Sequence, residues 1–351
     1  MIDYIIVGLG LAGISFCEQL EENGKTFVVF DNNSQRSTGV AGGLYNPVIL
    51  KRFTKVWKAE EQLELLAPFY KKIEAKCKDR FDYKVPVYRR LVSVEEQNLW
   101  FEKADTPSLN ALMADRIHKN ELSDINAAFG YGEIMQTGRI ATDSLQKAYA
   151  EHLKKSNRLI TEAFEHDKVK EDSNQIGYKG FKAKHIVFAE GFGLKQNPYF
   201  NYLPLNGTKG ELLIIKAPDL KLDFVLKSSV FIIPLGNDHY RIGATYEWND
   251  KTNETTEKGK EELLEKLKSF LKCGFEIISQ QAGIRPTVTD RRPLVGKHPV
   301  YNNLYLLNGM GSRGVMIAPY IAPQLFKYIE HNTPLDLEID IKRFENKYFS
   351  R

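Results

Sequence analysis

Cysteine is scarce in this chain. Cys17, Cys77 and Cys273 are the only three in 351 residues, widely spaced and never paired as Cys-x-x-Cys. Neither a disulfide framework nor a cysteine-based zinc site is indicated. Cys17 falls on the inner face of the first predicted helix, where it reads as a small core residue. The seven histidines are scattered without metal-ligand spacing, so no metal is expected. No Gly-x-Ser-x-Gly elbow and no Cys/His pairing suggest nucleophilic catalysis. No apolar run approaches the length of a membrane span, and the first predicted strand starts at residue 2, which leaves no room for a signal peptide. The expected location is a reducing cytoplasm. Charge of one sign is also missing: 49 basic against 45 acidic residues give a formal net charge of +4. Nucleic-acid binders usually concentrate more basic charge than this. Lys51-Arg52 with Lys55 and Lys58, and Lys168 with Lys170, read as solvated surface. There is no internal repeat and no low-complexity tract. At this length, with 42% apolar and 27% charged residues, two domains with a sizeable core are expected.

What the chain does have begins at its second residue. Ile2-Asp3-Tyr4-Ile5-Ile6-Val7 is an apolar run of the kind that forms a buried parallel strand. Gly8-Leu9-Gly10-Leu11-Ala12-Gly13 follows at once, Ile14 to Asn23 continues with helical spacing, and Gly24 closes the helix. Thr26 to Phe30 reads as a second strand with Asp31 at its tip and Asn32 beside it. Gly8 permits the tight turn, Gly10 lets backbone N–H groups approach a pyrophosphate, and Gly13 lets helix and strand pack closely. The helix N-terminus at Leu11 and Ala12 offers partial positive charge to phosphate. Asp31 suits the two hydroxyls of an adenosine ribose, which points to FAD or NAD rather than NADP.

Farther along, Thr54 to Lys78 is predicted helical, with Pro68 suggesting a kink or break, and Val85 to Val94 alternates as a strand. Residues 95–130 are mixed and polar and resist division. Thr142 to Lys155 reads as a helix capped by Thr142 or Asp143, and Ile176 to Phe181 and His185 to Ala189 as strands. From Gly210 to Tyr246 three strand-like runs joined by turn residues form an antiparallel meander. The amphipathic helix Lys258 to Leu271, the strand Asn303 to Leu307 and the helix Val315 to Ile329 complete the pattern. The α/β segments lie at both ends and in the middle of the chain, with β-rich segments between them.

Four separated segments resemble the D-amino acid oxidase-like family of FAD enzymes, near glycine oxidase. The first is the nucleotide fingerprint. The second, Val40-Ala41-Gly42-Gly43-Leu44-Tyr45-Asn46-Pro47, is similar to the small-residue loop that lies against the flavin in that family. The third is Ile186 to Gly191, with Ala189 and Gly191 passing near the cofactor. The fourth, Ala282-Gly283-Ile284-Arg285-Pro286, is similar to the run whose arginine grips a substrate carboxylate as a planar fork. Asn308-Gly309-Met310-Gly311-Ser312-Arg313-Gly314-Val315 then opens a helix. It matches Gly-x-Gly-x-x-Gly, but too little chain follows for a second βαβ unit, and the resemblance aims this N-terminus at the flavin. The resemblance adds Val169 to the cofactor contacts. Thr289 to Gly296, Gly311 to Gly314 and Gly243-Ala244-Thr245-Tyr246 look more like the oxidoreductase half of a bifunctional tRNA wobble-uridine enzyme. One feature departs from the glycine-oxidase pattern: where a Tyr-x-x-Pro run supplies a hydroxyl, this chain has Phe231-Ile232-Ile233-Pro234. That leaves Tyr246 or Tyr240 to supply the contact.

The resemblance implies an α/β protein, α+β overall. A Rossmann-like parallel-sheet FAD-binding domain (residues 1–75, 131–205 and 276–351) would be interleaved with an antiparallel-sheet substrate domain (76–130 and 206–275). The expected chemistry is oxidation of a C–N bond near a carboxylate, by hydride transfer to flavin N5. Arg285 and Tyr246 serve the substrate, FAD is held non-covalently, and oxygen is the expected acceptor. The expected partner is a small amine or amino acid, in preference to a stand-alone tRNA-modifying role or an idle flavoprotein. Neither a membrane nor a defined oligomer is implied.

Overall fold

The computed structural model describes residues 1–172 and 175–350. Its first layer is a sheet of eight strands among these residues. Leu159–Ile160, Phe27–Phe30, Ile2–Val7, Phe181–Phe188 and Leu304–Asn308 run parallel in that spatial order. On the side away from Ile2–Val7, the strand Phe181–Phe188 serves two neighbours. Its first half pairs antiparallel with Gln175–Tyr178, which in turn pairs with Lys170–Asp172, and its second half pairs with Leu304–Asn308. Leu294–Lys297 closes the edge antiparallel to Leu304–Asn308.

The continuous apolar run at the N-terminus is explained by burial on both faces. Tyr4 and Ile6 belong to one core and Ile5 and Val7 to another, as the two-residue side-chain period of a strand requires. The first core is covered by the helices Leu11–Glu22, Ala59–Cys77, Thr142–Lys155 and Gly314–His331. Cys17 is fully buried in it.

The second layer is a sheet in the spatial order Glu276–Arg285, Thr208–Lys216, His239–Gly243, Phe231–Gly236, Val225–Lys227, Val87–Arg90, Tyr131–Ile134, Met113–His118. All of its pairs are antiparallel except Val225–Lys227 with Val87–Arg90. Two stretches that the sequence places with the cofactor part therefore belong to this sheet. Glu276–Arg285 is held by a nine-pair ladder to Thr208–Lys216, and Tyr131–Ile134 pairs with Val87–Arg90. The polar segment after residue 90 contains the helix Val94–Ala104. A capping box starts it: Ser93 Oγ accepts from the Glu96 N–H (3.2 Å) and the Glu96 carboxylate accepts from the Val92 N–H (2.9 Å).

The prolines behave differently from the expectation. Ala59–Cys77 runs unbroken through Pro68, which is exposed, so the carbonyl it leaves unpaired can be solvated. Pro319 is buried inside Gly314–His331 and cannot donate to the Val315 carbonyl. The Tyr70 hydroxyl donates to that oxygen instead, at 2.9 Å, and ties the two helices together. Thr142 is the first helical residue rather than a cap, because its Oγ1 faces the Ala41 carbonyl at 3.4 Å. No helix among the described residues is long and apolar enough to cross a membrane.

Replacing Tyr70 with Phe strips a buried carbonyl of its donor. The expected result is a stability loss of about 2 kcal/mol by chemical denaturation. A variant as stable as the parent would show that the bond carries no weight.

Candidate active site

Four parallel strands end side by side, and the chain turns at each end. Gly8 follows Val7, Asp31 follows Phe30, Ala189 follows Phe188 and Gly309 follows Asn308. Ligands of open α/β sheets bind at such carboxyl ends. A cavity of about 320 Å³ lies there, between this edge and the second sheet.

Its first wall is bare backbone. Gly8 has φ +100°, and a β-carbon on it would lie 2.6 Å from the Ala189 carbonyl oxygen. A β-carbon on Gly13 would lie 2.0 Å from the Gly8 oxygen, so Gly13 stands behind the cavity as the packing point of the helix. Gly8, Gly10, Leu11 and Ala12 line the wall, joined by Ala189 and Gly191 from the neighbouring strand end. Asp31 also lines it. Burial pushes the Asp31 pKa up, and the nearby backbone N–H groups of Leu9 and Asn33 pull it down. Asn32 turns away and caps its own loop, its Oδ1 accepting from the Ser34 N–H at 3.1 Å.

The second wall is the loop Ala41, Gly42, Gly43, Leu44. The third is the turn before the helix Gly314–His331, where Gly311, Ser312, Arg313, Gly314 and Val315 line the cavity. Gly309 does not. It takes φ +78° in the turn and packs toward Val288 and Leu294. Val169 is also absent from the wall, half-buried against the core on the far face of the sheet.

The second sheet closes the cavity with Gly210, Leu212, Phe231, Ile233, Gly243, Gly283 and Arg285. Gly210 pairs with Gly283 across the ladder, and a β-carbon on Gly210 would lie 2.1 Å from Arg285 Nη2. The Arg285 guanidinium thus lies over a bare α-carbon. Its Nη1 donates to the Lys209 and Thr245 carbonyls and its Nη2 to the Thr245 carbonyl, each at 3.3 Å. Its carbon sits 4.5 Å from the centre of the Tyr246 ring. No carboxylate pairs with it among the described residues, and burial lowers its pKa. Arg313 donates to the Asn46 carbonyl at 2.8 Å, and burial pushes its pKa down to about 10.

Of the two tyrosines left to replace the missing hydroxyl, Tyr246 lines the cavity at its mouth and is 64% exposed. Tyr240 does not serve: it is buried, and its hydroxyl donates to the Leu220 carbonyl. Phe231 and Ile233 present apolar surface.

Sequence reasoning missed Lys209. It is fully buried, and its Nζ pairs with Asp250 and lies 3.8 Å from Glu211 Oε1. The Glu211 carboxylate in turn accepts from the Thr256 N–H (2.9 Å), the Thr256 hydroxyl (2.7 Å) and Gln280 Nε2 (2.7 Å). This cluster straps residues 246–256 across the strand that carries Gly210. The signal was a lysine and a glutamate two residues apart, on one face of a strand.

A family model described as FAD dependent oxidoreductase (DAO) matches residues 3–326. The chain belongs to the DAO family of FAD-dependent oxidoreductases. It is 23% identical over 338 residues to a glycine oxidase of Bacillus licheniformis, covering 90% of each protein. It is 25% identical over 305 residues to the tRNA 5-methylaminomethyl-2-thiouridine biosynthesis bifunctional protein MnmC of Campylobacter jejuni subsp. doylei. That match takes in 83% of this chain but 45% of the relative, so the chain spans under half the length of the bifunctional protein. Among solved structures, glycine oxidase from Geobacillus kaustophilus aligns with a TM-score of 0.80 at 19% identity, covering 96% of both chains. Iminodiacetate oxidase from Chelativorans sp. BNC1 aligns at 0.79 and 15%, covering 96% and 98%.

The cavity fits the family's cofactor. Gly191 and Gly311 line it where a β-carbon would meet no protein atom, the half-buried Asp31 stands at one end, and two helix N-termini face inward.

Lys209→Met leaves Asp250 and Glu211 without their cation. The strap is expected to loosen, with about 3 kcal/mol of stability lost and faster protease cleavage within residues 246–256. Unchanged cleavage would assign the strap's order to other contacts.

Proposed function

We propose that this enzyme oxidises the C–N bond of a small amino acid or secondary amine that carries a carboxylate. The observation that carries this reading is Arg285, a half-buried guanidinium without a carboxylate partner among the described residues, facing a glycine-walled cavity. Such a group is stabilised by an anion that arrives with the substrate, and its fork geometry suits a carboxylate.

Gly8, Gly10, Leu11, Ala12 and Asp31 would hold the adenosine and pyrophosphate, and Gly13 would set the helix behind them. Ala41 to Leu44, Ala189, Gly191 and Gly311 to Val315 would hold the rest of the cofactor. Bound FAD would supply the hydride acceptor, with the oxidised amine leaving as an imine that water hydrolyses and oxygen taking the electrons.

The residues themselves bind and orient. Arg285 anchors the carboxylate, Tyr246 covers it from the mouth, and Phe231 and Ile233 exclude water from the opposite side. Of the cavity's two acids, Asp31 stands at the nucleotide end, and Glu190 is tied to His166 (2.8 Å) and Asn197 (2.7 Å). Neither is placed to take a substrate proton, so the amine has to enter neutral.

The similarity to the tRNA-modifying relative supports a second reading, a carboxymethylaminomethyl nucleoside in RNA. The mouth favours the free amine, because residues 246–256 set Glu247 and Glu254 against Lys251, with Asp250 already paired to Lys209. A small-molecule oxidase of this kind fits a reducing cytoplasm.

Anaerobic bleaching of the bound flavin by glycine, sarcosine, D- and L-amino acids and carboxymethylaminomethyl tRNA tests the assignment. Bleaching by a free amine is expected, and bleaching by the tRNA alone would move the function to RNA. Arg285→Met should raise KM for the active amine about 100-fold, the scale of a lost charge-assisted pair. With no base in the cavity, kcat/KM should rise with pH up to the pKa of the substrate's own amine. A profile that ignores a change of substrate would reveal a protein base.

A further inference from the structure

The Ala41–Gly43 loop presents one side to the cavity, and Arg241 stands behind the other. Arg241 comes from the middle of the strand His239–Gly243, opposite Ile233 in the ladder, and is 6% exposed. Its Nη1 donates to the Ala41 carbonyl, which also accepts from Thr142 Oγ1 at 3.4 Å. The Gly43 carbonyl is held from outside too, accepting from the Ile140 N–H at 2.9 Å.

A trans peptide sets its C=O and N–H antiparallel. With the Ala41 oxygen drawn back toward Arg241, the Gly42 N–H points the other way, into the cavity. Among the described residues neither the Gly42 nor the Gly43 N–H has a hydrogen-bond acceptor. Two free donors therefore line the wall where buried donors are normally paired. Ile233 fixes the loop from below, since a β-carbon on Gly42 would lie 2.8 Å from its Cδ1.

The charge behind the loop also lacks an ion pair among the described residues. Arg241 and its neighbour Arg139 are both buried with an Nε that has no partner, and Asp143 attracts both without an ion pair among the described residues. A cation without an ion pair in a low-dielectric wall acts on whatever lies across it.

We propose that Arg241 is a positioning residue for the cofactor. It holds the Ala41–Gly42 peptide from behind so that the Gly42 and Gly43 N–H groups face the flavin, and its charge makes the bound flavin a stronger electron acceptor. This rests on the reading that the Ala41–Gly43 loop lies against the flavin. A core strut alone would stabilise the fold and leave the cofactor's potential where it was.

The test measures FAD affinity by flavin fluorescence and the midpoint potential of the bound flavin by dye equilibration. The thermal midpoints of the cofactor-free proteins serve as control. Arg241→Met should bind FAD about tenfold more weakly, as for a lost charged hydrogen bond, and its flavin potential should fall. Arg241→Lys, which keeps the charge, should hold the potential near that of the parent. An unchanged potential in Arg241→Met overturns the proposal even if affinity or stability drops. Should Arg241→Met fail to fold, Arg241→Gln keeps a donor and loses the charge: a lowered potential supports the proposal and an unchanged one overturns it. A parent protein that takes up no FAD overturns the site assignment as a whole, an outcome distinct from a parent-like potential in the variant.

Discussion

A β-carbon on Gly13 would lie 2.0 Å from the Gly8 carbonyl oxygen, and one on Gly8 would lie 2.6 Å from the oxygen of Ala189. Three backbones meet there at a separation that side chains forbid. Because they meet, the helix Leu11–Glu22 can start directly over the end of the first strand, and the strand Phe181–Phe188 can run beside it. The cavity exists at that edge because the strand ends are stripped to backbone, and both helix N-termini point at it for the same reason. The second sheet answers in kind, with Gly210 opposite Gly283 and the Arg285 guanidinium laid across the gap.

Electrostatics then give the cavity a direction. Arg241 is buried behind its walls and Arg285 and Arg313 are half-buried along them, each held by carbonyl oxygens rather than carboxylates among the described residues. Burying an unpaired charge costs several kcal/mol, and carbonyl contacts at 3.3 Å return part of that. A fold that carries three such groups around one cavity is matched to anionic occupants: the pyrophosphate of a dinucleotide, the carboxylate of a substrate, and a ring that gains negative charge on reduction. Phosphate and carboxylate can be satisfied at opposite ends, because the helix N-terminus at Leu11 packs on the first sheet and Arg285 stands on the second.

Much of this was legible in the sequence where a residue type has one physical use. The fingerprint from Gly8 to Asp31 encodes a turn, a close approach and a ribose acceptor, and the Gly283-Ile284-Arg285-Pro286 run encodes a fork on a strand end. An adenine dinucleotide followed from the fingerprint, and the fold class and the FAD cofactor from the resemblance these segments bear to the family. What escaped depends on partners that are distant in sequence. Lys209 and Arg241 read as ordinary strand residues until the ladder and loop around them are known. Tyr240 and Tyr246 look interchangeable in sequence, and only packing separates a hydroxyl used on Leu220 from a ring over Arg285. Nor could the sheet that Glu276–Arg285 joins be read, because an edge strand carries no mark of its partner. The helix Val94–Ala104 was a different case: Ser93 and Glu96 spell a capping box that was there to be read.

The central claim is that Arg285 anchors a carboxylate within reach of the flavin, and a ligand that cannot be oxidised isolates it from chemistry. Acetate titrated into the FAD-loaded enzyme should perturb the visible flavin spectrum saturably, and Arg285→Met should abolish the perturbation while still binding FAD. A spectrum that acetate leaves unchanged, or changes equally in the variant, would contradict the account.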